Sequence, residues 1–238
     1  MIDLHAHIIP GIDDGAQSPA DALEMAETAA DCGVRILTAT AHMNLDACDP
    51  EVHLAKYREG LSALRAGIAK AGIRLRVASG MELLVNDRLL RYAEEHPLPS
   101  LNGSGCLLAE FYFDVRYSYA ERMLSALQEK GYRIVLAHPE RYAFIRQDPE
   151  RARELADNGV ILQLNKGSFF REFGERSYHA ARWILSRGLA GVIASDAHDP
   201  VMRTTDLAEM KELLETEYGP DTAELLLVKR PGAILRGK

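Results

Sequence analysis

The sequence has few cysteines, and their spacing does not fit a disulfide framework. Cys32, Cys48 and Cys106 are an odd number, and none of them lies in a C-x-x-C pair. Disulfide scaffolds carry paired cysteines, so we expect three reduced thiols in a cytoplasmic protein. The first residues also lack the basic and apolar segments of a secretory signal.

Long apolar runs and basic clusters are missing as well. No apolar stretch approaches the roughly 18–20 residues of a membrane span, so we expect no membrane insertion. The chain has 28 basic and 35 acidic residues, a formal net charge of −7, and no block of lysines or arginines. Proteins that bind duplex DNA usually show a basic stripe, so the charge argues against a nucleic-acid partner.

The length fits one large domain. The chain has 238 residues, and α/β barrels of about 200–250 residues commonly form a single unit. No linker, low-complexity stretch or internal repeat divides it. We therefore expect residues 1–238 to form a single domain.

The period of the apolar residues alternates between that of a strand and that of a helix. It predicts seven strands, at residues 2–9, 34–40, 73–82, 106–111, 132–138, 160–165 and 189–196. It predicts helices near residues 19–32, 50–71, 87–95, 119–130, 149–158, 177–187, 204–218 and 221–229. Ser18 and Asp49 each precede a proline, which is typical of a helix start, and glycines follow most helices. The alternation indicates an α/β fold with a parallel sheet.

Almost every predicted strand ends in a side chain that can bind a metal or a ligand. In chain order these side chains are His5, His7, His42, Glu82, Glu110, His138, Asn165, Asp196 and His198. The strand ends of a βα barrel meet on one rim, whereas an open doubly wound sheet would spread these residues along an edge. The glycine-rich turn of a dinucleotide-binding sheet is also missing. We therefore predict a closed barrel with these residues at one end.

Each of these residues alone has a simpler interpretation. A histidine at a strand end is often only solvated, although His5 and His7 share a face because they are two apart in a strand. Glu82 could be an ordinary carboxylate at a helix start. Glu110 is different, since it interrupts an apolar run, and burying an unpaired carboxylate costs several kcal/mol. Together the strand-end residues predict a metal site.

The predicted ligands are imidazoles and carboxylates without sulfur. Such sites suit Mn, Fe or Zn, and the carboxylates favour Mn or Fe. Seven or more ligands exceed the need of one ion, so we predict two or three divalent ions. Clustered ions activate water and stabilise displacement at phosphorus, which indicates hydrolysis of a phosphate ester.

Several of these residues stand in short motifs that follow one another in a fixed order. The motifs are His5-Ala6-His7, Gly11-Ile12-Asp13-Asp14-Gly15, His42, Glu82, Glu110-Phe111, His138-Pro139-Glu140-Arg141-Tyr142 and Ser195-Asp196-Ala197-His198. This ordered set spans the chain and resembles the polymerase-and-histidinol-phosphatase (PHP) superfamily. Within it, the chain is most similar to bacterial manganese-dependent tyrosine phosphatases of capsule and exopolysaccharide operons. The resemblance implies a distorted seven-stranded TIM-like barrel with a trinuclear centre, with Mn²⁺ preferred and Fe or Zn as alternatives.

The resemblance also implies a ligand set for each ion. The first ion would be held by His5, His7, Glu82 and Asp196, the second by Glu82, Glu110 and His138, and the third by Asp14, His42 and His198. Glu82 would bridge the first two ions. We choose Asp14 over Asp13 because Asp14 directly precedes Gly15.

Arginines that grip the phosphoryl group are a further implication of the resemblance, and Arg141 and Arg203 stand at the matching places. A guanidinium can bind phosphate through two parallel hydrogen bonds. The alternative for Arg141 is a surface ion pair with Glu140 or Asp148. Separately, Gln163 and Asn165 share a strand face and could orient water or the groups that surround the ligands.

Other phosphatase chemistries lack their residues. A cysteine phosphatase needs an arginine six residues after its cysteine, and Thr38, Leu54 and Tyr112 occupy those positions. No two aspartates are two residues apart, and no G-x-S-x-G elbow is present. Our hypothesis is that a metal-bound hydroxide attacks phosphorus directly, with Glu110 or His138 helping to manage protons.

Three functions remain open at this point. The first is a protein-tyrosine phosphatase acting on a flexible phosphotyrosine tail, such as that of a bacterial tyrosine kinase in polysaccharide assembly. The second is a small-molecule phosphatase of the histidinol-phosphatase type, and the third is a non-catalytic metal-binding regulator. Relatives that act on histidinol phosphate tend to have histidine where Asp14 or Glu110 stand here, which favours the first.

Overall fold

The computed structural model describes residues 1–238 and contains nine strands, which pair in parallel throughout. The strands are β1 Ile2–Ala6, β2 Ile36–Ala39, β3 His42–Met43, β4 Arg76–Ser79, β5 Glu82–Leu84, β6 Cys106–Glu110, β7 Arg133–Ala137, β8 Ile161–Asn165 and β9 Ala190–Ala194. The predicted α/β class with a parallel sheet is confirmed.

The strands form two sheets, not one ring of seven strands. The orders are β1-β2-β4 and β3-β5-β6-β7-β8-β9, and a single parallel bridge joins Ala6 to Ala197. The second predicted strand, residues 34–40, is β2, and the unpredicted β3 follows it after a break; the third, residues 73–82, is divided between β4 and β5. At one break the Thr40 hydroxyl accepts the Ala6 amide at 2.9 Å, and at the other the Gly80 amide donates to the Tyr57 hydroxyl at 2.8 Å. Side-chain hydrogen bonds thus supplement the main-chain hydrogen bonds at both breaks.

Eleven α-helices cover the sheets. They are α1 Pro19–Asp31, α2 Pro50–Ala71, α3 Asp87–Glu95, α4 Tyr117–Glu129, α5 Ala143–Gln147, α6 Glu150–Asp157, α7 Lys166–Phe169, α8 Gly174–Ser186, α9 Ala208–Tyr218, α10 Pro220–Glu224 and α11 Arg230–Ile234. Ser18 and Asp21 form a reciprocal capping box at the start of α1, and the Asp49 side chain accepts the Val52 amide at the start of α2. Gly72 ends α2 with a φ of 72°, in the left-handed region.

The short helical pieces are the ones that the sequence did not predict. Two 3₁₀ turns, at Leu101–Gly103 and Pro139–Arg141, and the helices α5 and α7 are too short for an apolar period to show. The last predicted helix, near residues 221–229, is instead α10, a π-helical turn at Leu225–Lys229 and α11.

Apolar side chains of the strands fill two buried clusters. The larger one has 55 residues and lies between the strands and the helices. The smaller one has 10 residues and includes Leu4, Leu108, Val135 and Val192 from four different strands. These clusters fix the strands, so that the residues at their carboxyl ends meet on one side. None of the helices has the length and apolar character required to cross a bilayer.

Candidate metal centre

Glu82, the first residue of β5, is fully buried at the centre of the candidate site. Its Oε2 lies 3.0 Å from Nε2 of His5, 3.2 Å from Nε2 of His7 and 3.1 Å from Nδ1 of His42. Its Oε1 lies 2.9 Å from Nε2 of His138. One carboxylate therefore faces four of the five histidines that the sequence placed at strand ends.

Asp196 closes the site from the end of β9. Its Oδ1 lies 3.3 Å from Nε2 of His5 and 3.5 Å from Nε2 of His7, and its amide donates to the carbonyl of His5. Asp196 has a φ of 52°, and His138 at the end of β7 has a φ of 35°. Left-handed backbone is uncommon for residues other than glycine and concentrates at functional sites. Both strands thus end in a strained turn that directs a side chain inward.

The outer part of the site is more open to solvent. Nδ1 of His42 lies 2.8 Å from Oε1 of Glu110, and Nε2 of His42 lies 3.5 Å from Oδ1 of Asp14. Nε2 of His198 lies 3.6 Å from the same oxygen of Asp14. The Asp14 side chain is 68% exposed, whereas that of His198 is 8% exposed. Solvent therefore reaches the site from the Asp14 side.

Three groups of side chains place their ligand atoms within 4.8 Å of one another. The groups are His5, His7, Glu82 and Asp196; His7, Asp14, His42 and His198; and His42, Glu82 and Glu110. The first group is the ligand set predicted for the first ion. The second group is the ligand set predicted for the third ion together with His7. In the third, His42 stands where His138 was expected. Nε2 of His138 is 3.9 Å from Glu110, although it is near Glu82.

The inner histidines have fixed tautomers. Nδ1 of His5 lies 2.8 Å from Oε1 of Gln163, whose own amide nitrogen donates to the carbonyl of Leu164. Nδ1 of His7 lies 2.8 Å from Oδ2 of Asp13. A carbonyl or carboxylate oxygen only accepts, so both Nδ1 atoms carry a proton. In the neutral rings, each Nε2 therefore presents a lone pair to the centre of the site.

This arrangement needs a cation. The tautomer of His198 is fixed in the same way as those of His5 and His7, because its Nδ1 donates to the main-chain oxygen of Asp196 at 3.0 Å. The Nε2 atoms of His5 and His7 lie 3.0 Å apart, and Oε2 of Glu82 is buried without a hydrogen-bond partner. With neutral rings, lone pairs would face lone pairs and carboxylates, so the centre takes up positive charge, either as protons or as metal ions. Divalent ions such as Mn²⁺, Fe²⁺ or Zn²⁺ bind this combination of imidazole and carboxylate ligands, so the residues present fit a metal.

The electrostatics of the site also favour positive charge. Burial alone lowers the pKa of His5, but the carboxylates of Glu82 and Asp196 raise it above its ordinary value. For His42, burial is outweighed by the hydrogen bond to Glu110, which raises the pKa to about 9. Despite their burial, Glu82 and Asp196 have lowered pKa values because of the positive imidazoles around them. Metal ions compete with protons for such sites.

Asp13 is a functional residue that the sequence analysis missed. Besides His7, it accepts the amides of His42 at 3.0 Å and Gly15 at 2.9 Å. Burial would raise its pKa, but the hydrogen bond from His7 lowers it to about 2. The only signal was the pair of adjacent aspartates, in which Asp14 was chosen as the ligand. In the structure, Asp14 faces the site, whereas Asp13 orients the residues His7 and His42 within it.

Gln163 and Asn165 lie on the same face of β8, as the sequence predicted. Gln163 holds His5, and the amide nitrogen of Asn165 donates to Oδ2 of Asp196 at 2.5 Å. Such partners fix the orientation of ligands in metal sites.

Two arginines lie at the edge of the centre. Nη2 of Arg203 lies 2.6 Å from Oδ2 of Asp196, and Nη1 of Arg141 lies 3.4 Å from the same oxygen. Arg141 forms no surface pair with Glu140, which is buried and accepts from the main chain of β8 and from a serine hydroxyl, nor with Asp148. Nε of Arg203 is buried without a partner. Arg141 forms side-chain hydrogen bonds only through Nη1 and Arg203 only through Nη2, so both guanidinium groups have donors to spare for an anion.

The cysteines do not form a nucleophilic site. Burial raises the pKa of the thiols of Cys32 and Cys48, whereas a thiolate nucleophile needs a lowered pKa. Cys106 begins β6, while the candidate ligand Glu110 ends it. Metal-assisted chemistry remains the chemistry that these side chains support.

Comparison with protein families matches residues 1–236 to the family described as capsular polysaccharide synthesis, CpsB/CapC. The chain is 36% identical to tyrosine-protein phosphatase YwqE of Bacillus subtilis (strain 168) over 234 residues, 95% of this chain and 91% of that protein. It is 30% identical to tyrosine-protein phosphatase CpsB of Streptococcus pneumoniae over 241 residues, 99% of this chain and 98% of that protein.

Solved structures show the same similarity. A chain from the crystal structures of YwqE and CpsB, described as unique metal-dependent tyrosine phosphatases, superposes with a TM-score of 0.90 at 34% identity. The match covers 100% of this chain and 95% of that one. The lactonase Lmo2620 from Listeria monocytogenes shares the fold, with a TM-score of 0.65 at 11% identity over 100% of this chain and 94% of that one.

Proposed function

The chain belongs to the CpsB/CapC family of capsular polysaccharide synthesis proteins, and we propose that it is a metal-dependent phosphatase that hydrolyses phosphotyrosine in proteins. The similarity to the tyrosine phosphatases YwqE and CpsB supports this activity. One structural observation carries the proposal. Two imidazoles with fixed tautomers, those of His5 and His7, direct their Nε2 atoms at buried carboxylates, an arrangement that a cation satisfies.

We propose nine metal ligands: His5, His7, Asp14, His42, Glu82, Glu110, His138, Asp196 and His198. They would hold two or three divalent ions, with Glu82 shared between two of them. Mn²⁺ is the proposed metal, with Fe or Zn as alternatives, because the carboxylates outweigh soft ligands and no sulfur takes part.

The protein's own residues bind and orient the phosphoryl group. Arg141 and Arg203 would donate to its oxygens, since each guanidinium has five N–H donors and Asp196 uses only a few of them. Asp196 keeps both guanidinium groups beside the metal ligands. Glu110 and His138 are proposed to hold and return a proton. Bound divalent ions would lower the pKa of water and offset the charge on the phosphoryl oxygens.

We also propose that the two sheets act together as a distorted seven-stranded barrel in a single domain of residues 1–238. β2 and β3 are separated by two residues, as are β4 and β5, so each pair can count as one bent strand. The bridge between Ala6 and Ala197 supports the closure between β1 and β9. The larger apolar cluster draws residues from Ala6 to Leu227, which supports a single domain.

The proposed substrate is a flexible phosphotyrosine-bearing tail, such as that of a bacterial tyrosine kinase. The candidate centre opens to solvent beside the exposed Asp14, so a phosphotyrosine on such a tail would have access to it. A cytoplasmic location is proposed as well, and the three free cysteines support it.

The decisive experiment compares substrates with Mn²⁺ supplied. We expect a phosphotyrosyl peptide to be hydrolysed with a higher kcat/KM than histidinol phosphate or a phosphoseryl peptide. A chelator should abolish the activity, whereas alkylation of the cysteines should leave it intact. Turnover of histidinol phosphate alone would instead establish a small-molecule phosphatase. Absence of any turnover would favour the third function, a non-catalytic metal-binding regulator. Activity that resists chelators would refute the metal mechanism.

A further inference from the structure

Aromatic rings and guanidinium groups alternate along the edge of the candidate metal centre. Cζ of Arg141 lies 4.3 Å from the ring centroid of Phe113 and 4.1 Å from that of Phe173. Cζ of Arg203 lies 5.4 Å from the centroid of Phe173. Each of these distances is within the range of about 6 Å for a cation–π contact. Phe173 thus contacts both of the proposed phosphate-binding arginines.

Two guanidinium groups that share one carboxylate oxygen need additional stabilisation. Arg141 and Arg203 both approach Oδ2 of Asp196, so their positive charges also approach each other. Asp196 offsets part of this repulsion, but it is drawn at the same time toward the imidazoles. The negative face of an aromatic ring attracts a cation without presenting an acceptor that competes with phosphate.

The absence of a side chain at Gly167 leaves room for the ring of Phe173. A Cβ atom on Gly167, in α7, would lie 2.8 Å from Cε2 of Phe173 and 2.2 Å from Oε2 of Glu172. Real Cβ atoms do not approach other atoms so closely, so any larger residue at 167 would push the ring away. Asn165, which contacts Asp196, also caps α7 through the amide of Gly167. The same short segment therefore positions the ring and the carboxylate.

We propose that Phe173 is a positioning residue that holds Arg141 and Arg203 side by side as a two-arginine clamp for the phosphoryl group. This inference rests on the proposed phosphatase function. It assigns to Phe173 an effect on phosphate binding through the arginines, without contact between its ring and the reacting atoms.

The test replaces the ring while keeping an apolar side chain. For Phe173→Leu in the Mn²⁺-loaded protein, we expect the KM for a phosphotyrosyl peptide and the Ki for inorganic phosphate to rise about fivefold, the effect of two lost cation–π contacts. We expect kcat to change less than KM. Direct calorimetric titration with inorganic phosphate should show the same loss of affinity. Phe173→Met serves the same purpose if the leucine variant does not fold.

Three controls separate positioning from packing. Phe173→Tyr keeps the aromatic face and should restore phosphate affinity to within about twofold of the original protein. Phe170→Leu alters a partly buried ring three residues away that packs against the core, and it should not change the Ki for phosphate. In an Arg203→Ala background, Phe173→Leu should have a smaller effect, because only the contact with Arg141 is left to lose.

Several results would overturn the inference. Unchanged phosphate affinity in Phe173→Leu would do so, as would equal losses in the leucine and tyrosine variants, which would show a purely steric role. If the unmodified protein hydrolyses the peptide while these results are found, only the inference fails. If the unmodified protein neither hydrolyses phosphotyrosine nor binds phosphate, the proposed function fails and this inference fails with it.

Discussion

Oδ2 of Asp13 lies 2.8 Å from Nδ1 of His7 and thereby decides which nitrogen of that ring faces the metal centre. Loss of such a partner typically lowers metal affinity by about 10- to 100-fold. We therefore expect Asp13→Ala to bind Mn²⁺ more weakly by about this factor, as measured by calorimetric titration of chelator-treated protein. Asp31→Ala, an exposed aspartate at the end of α1, is the matched control. Equal Mn²⁺ affinity in the two variants would contradict the role of Asp13.

Glu82 is the carboxylate that the inner imidazoles share, and replacing it tests the whole centre. Glu82→Gln keeps the shape but removes the charge, so we expect loss of bound metal and a fall in kcat/KM on the order of 100-fold or more. Elemental analysis after dialysis measures the metal. Glu140→Gln changes another fully buried carboxylate outside the metal groups and should keep its metal. Full metal occupancy in Glu82→Gln would refute the proposed ligand set.

Without metal, the stability of the protein should depend on the charge of His42. Its pKa rises from 6.5 to about 9 in the folded protein, so the folded state binds the proton more tightly than the unfolded state. The resulting stability is fully present below pH 6.5 and is lost as the pH rises toward 9. In urea unfolding of chelator-treated protein, the advantage over His42→Asn should shrink between these pH values. A constant difference would show that His42 does not titrate in this way.

Gly15 is required by a close approach of two chain segments. A Cβ atom at this position would lie 2.1 Å from the carbonyl oxygen of His7. We expect Gly15→Ala to lower the free energy of unfolding by about 1–3 kcal/mol and to weaken Mn²⁺ binding, because the turn that carries Asp13 must move. Gly67→Ala is the control, since its Cβ would make only an ordinary contact, 3.4 Å from Leu23. Similar stability of both variants, from denaturant titration, would contradict this reasoning.

Arg141 should contribute to phosphate binding more than to folding. Hydrogen bonds to charged groups are worth about 1.5–3 kcal/mol, so Arg141→Ala should lower kcat/KM for phosphotyrosine by roughly 10- to 100-fold. Arg141→Lys should recover only part of this, because an ammonium group cannot bind through two parallel hydrogen bonds. Steady-state kinetics with Mn²⁺ measure both variants. Unchanged kinetics in Arg141→Ala would show that the residue does not bind the phosphoryl group.

The strand ends could be predicted from the sequence because each depends on a short local pattern. An apolar run followed by a histidine or acid identifies the carboxyl end of a parallel strand, and in such folds these ends meet. This rule alone predicts that His5, Glu110 and Asp196 lie close together, although they are far apart in the chain. The boundaries of α1 and α2 were also legible, since Ser18 and Asp49 cap them locally.

The features that the sequence did not reveal depend on contacts between distant segments. The break between β4 and β5 is tied to the hydroxyl of Tyr57, which arrives from α2 and takes the amide of Gly80. Asp13 and Asp14 have different roles because of the conformation of the turn after β1. No residue propensity predicts that conformation. Phe173 lies in a turn without periodicity, and only the folded chain brings it to Arg141.

Asp196 joins two kinds of binding in one side chain, because Oδ1 faces the imidazoles and Oδ2 faces the arginines. A cation bound at Oδ1 would draw on the charge of this carboxylate and would leave the two neighbouring guanidinium groups with more positive charge to attract an anion. By thermodynamic reciprocity, an anion bound to the arginines would then strengthen the retention of the cation. When metal is scarce, a phosphorylated substrate would therefore help this protein to keep its metal, so that metal occupancy would rise with the concentration of substrate.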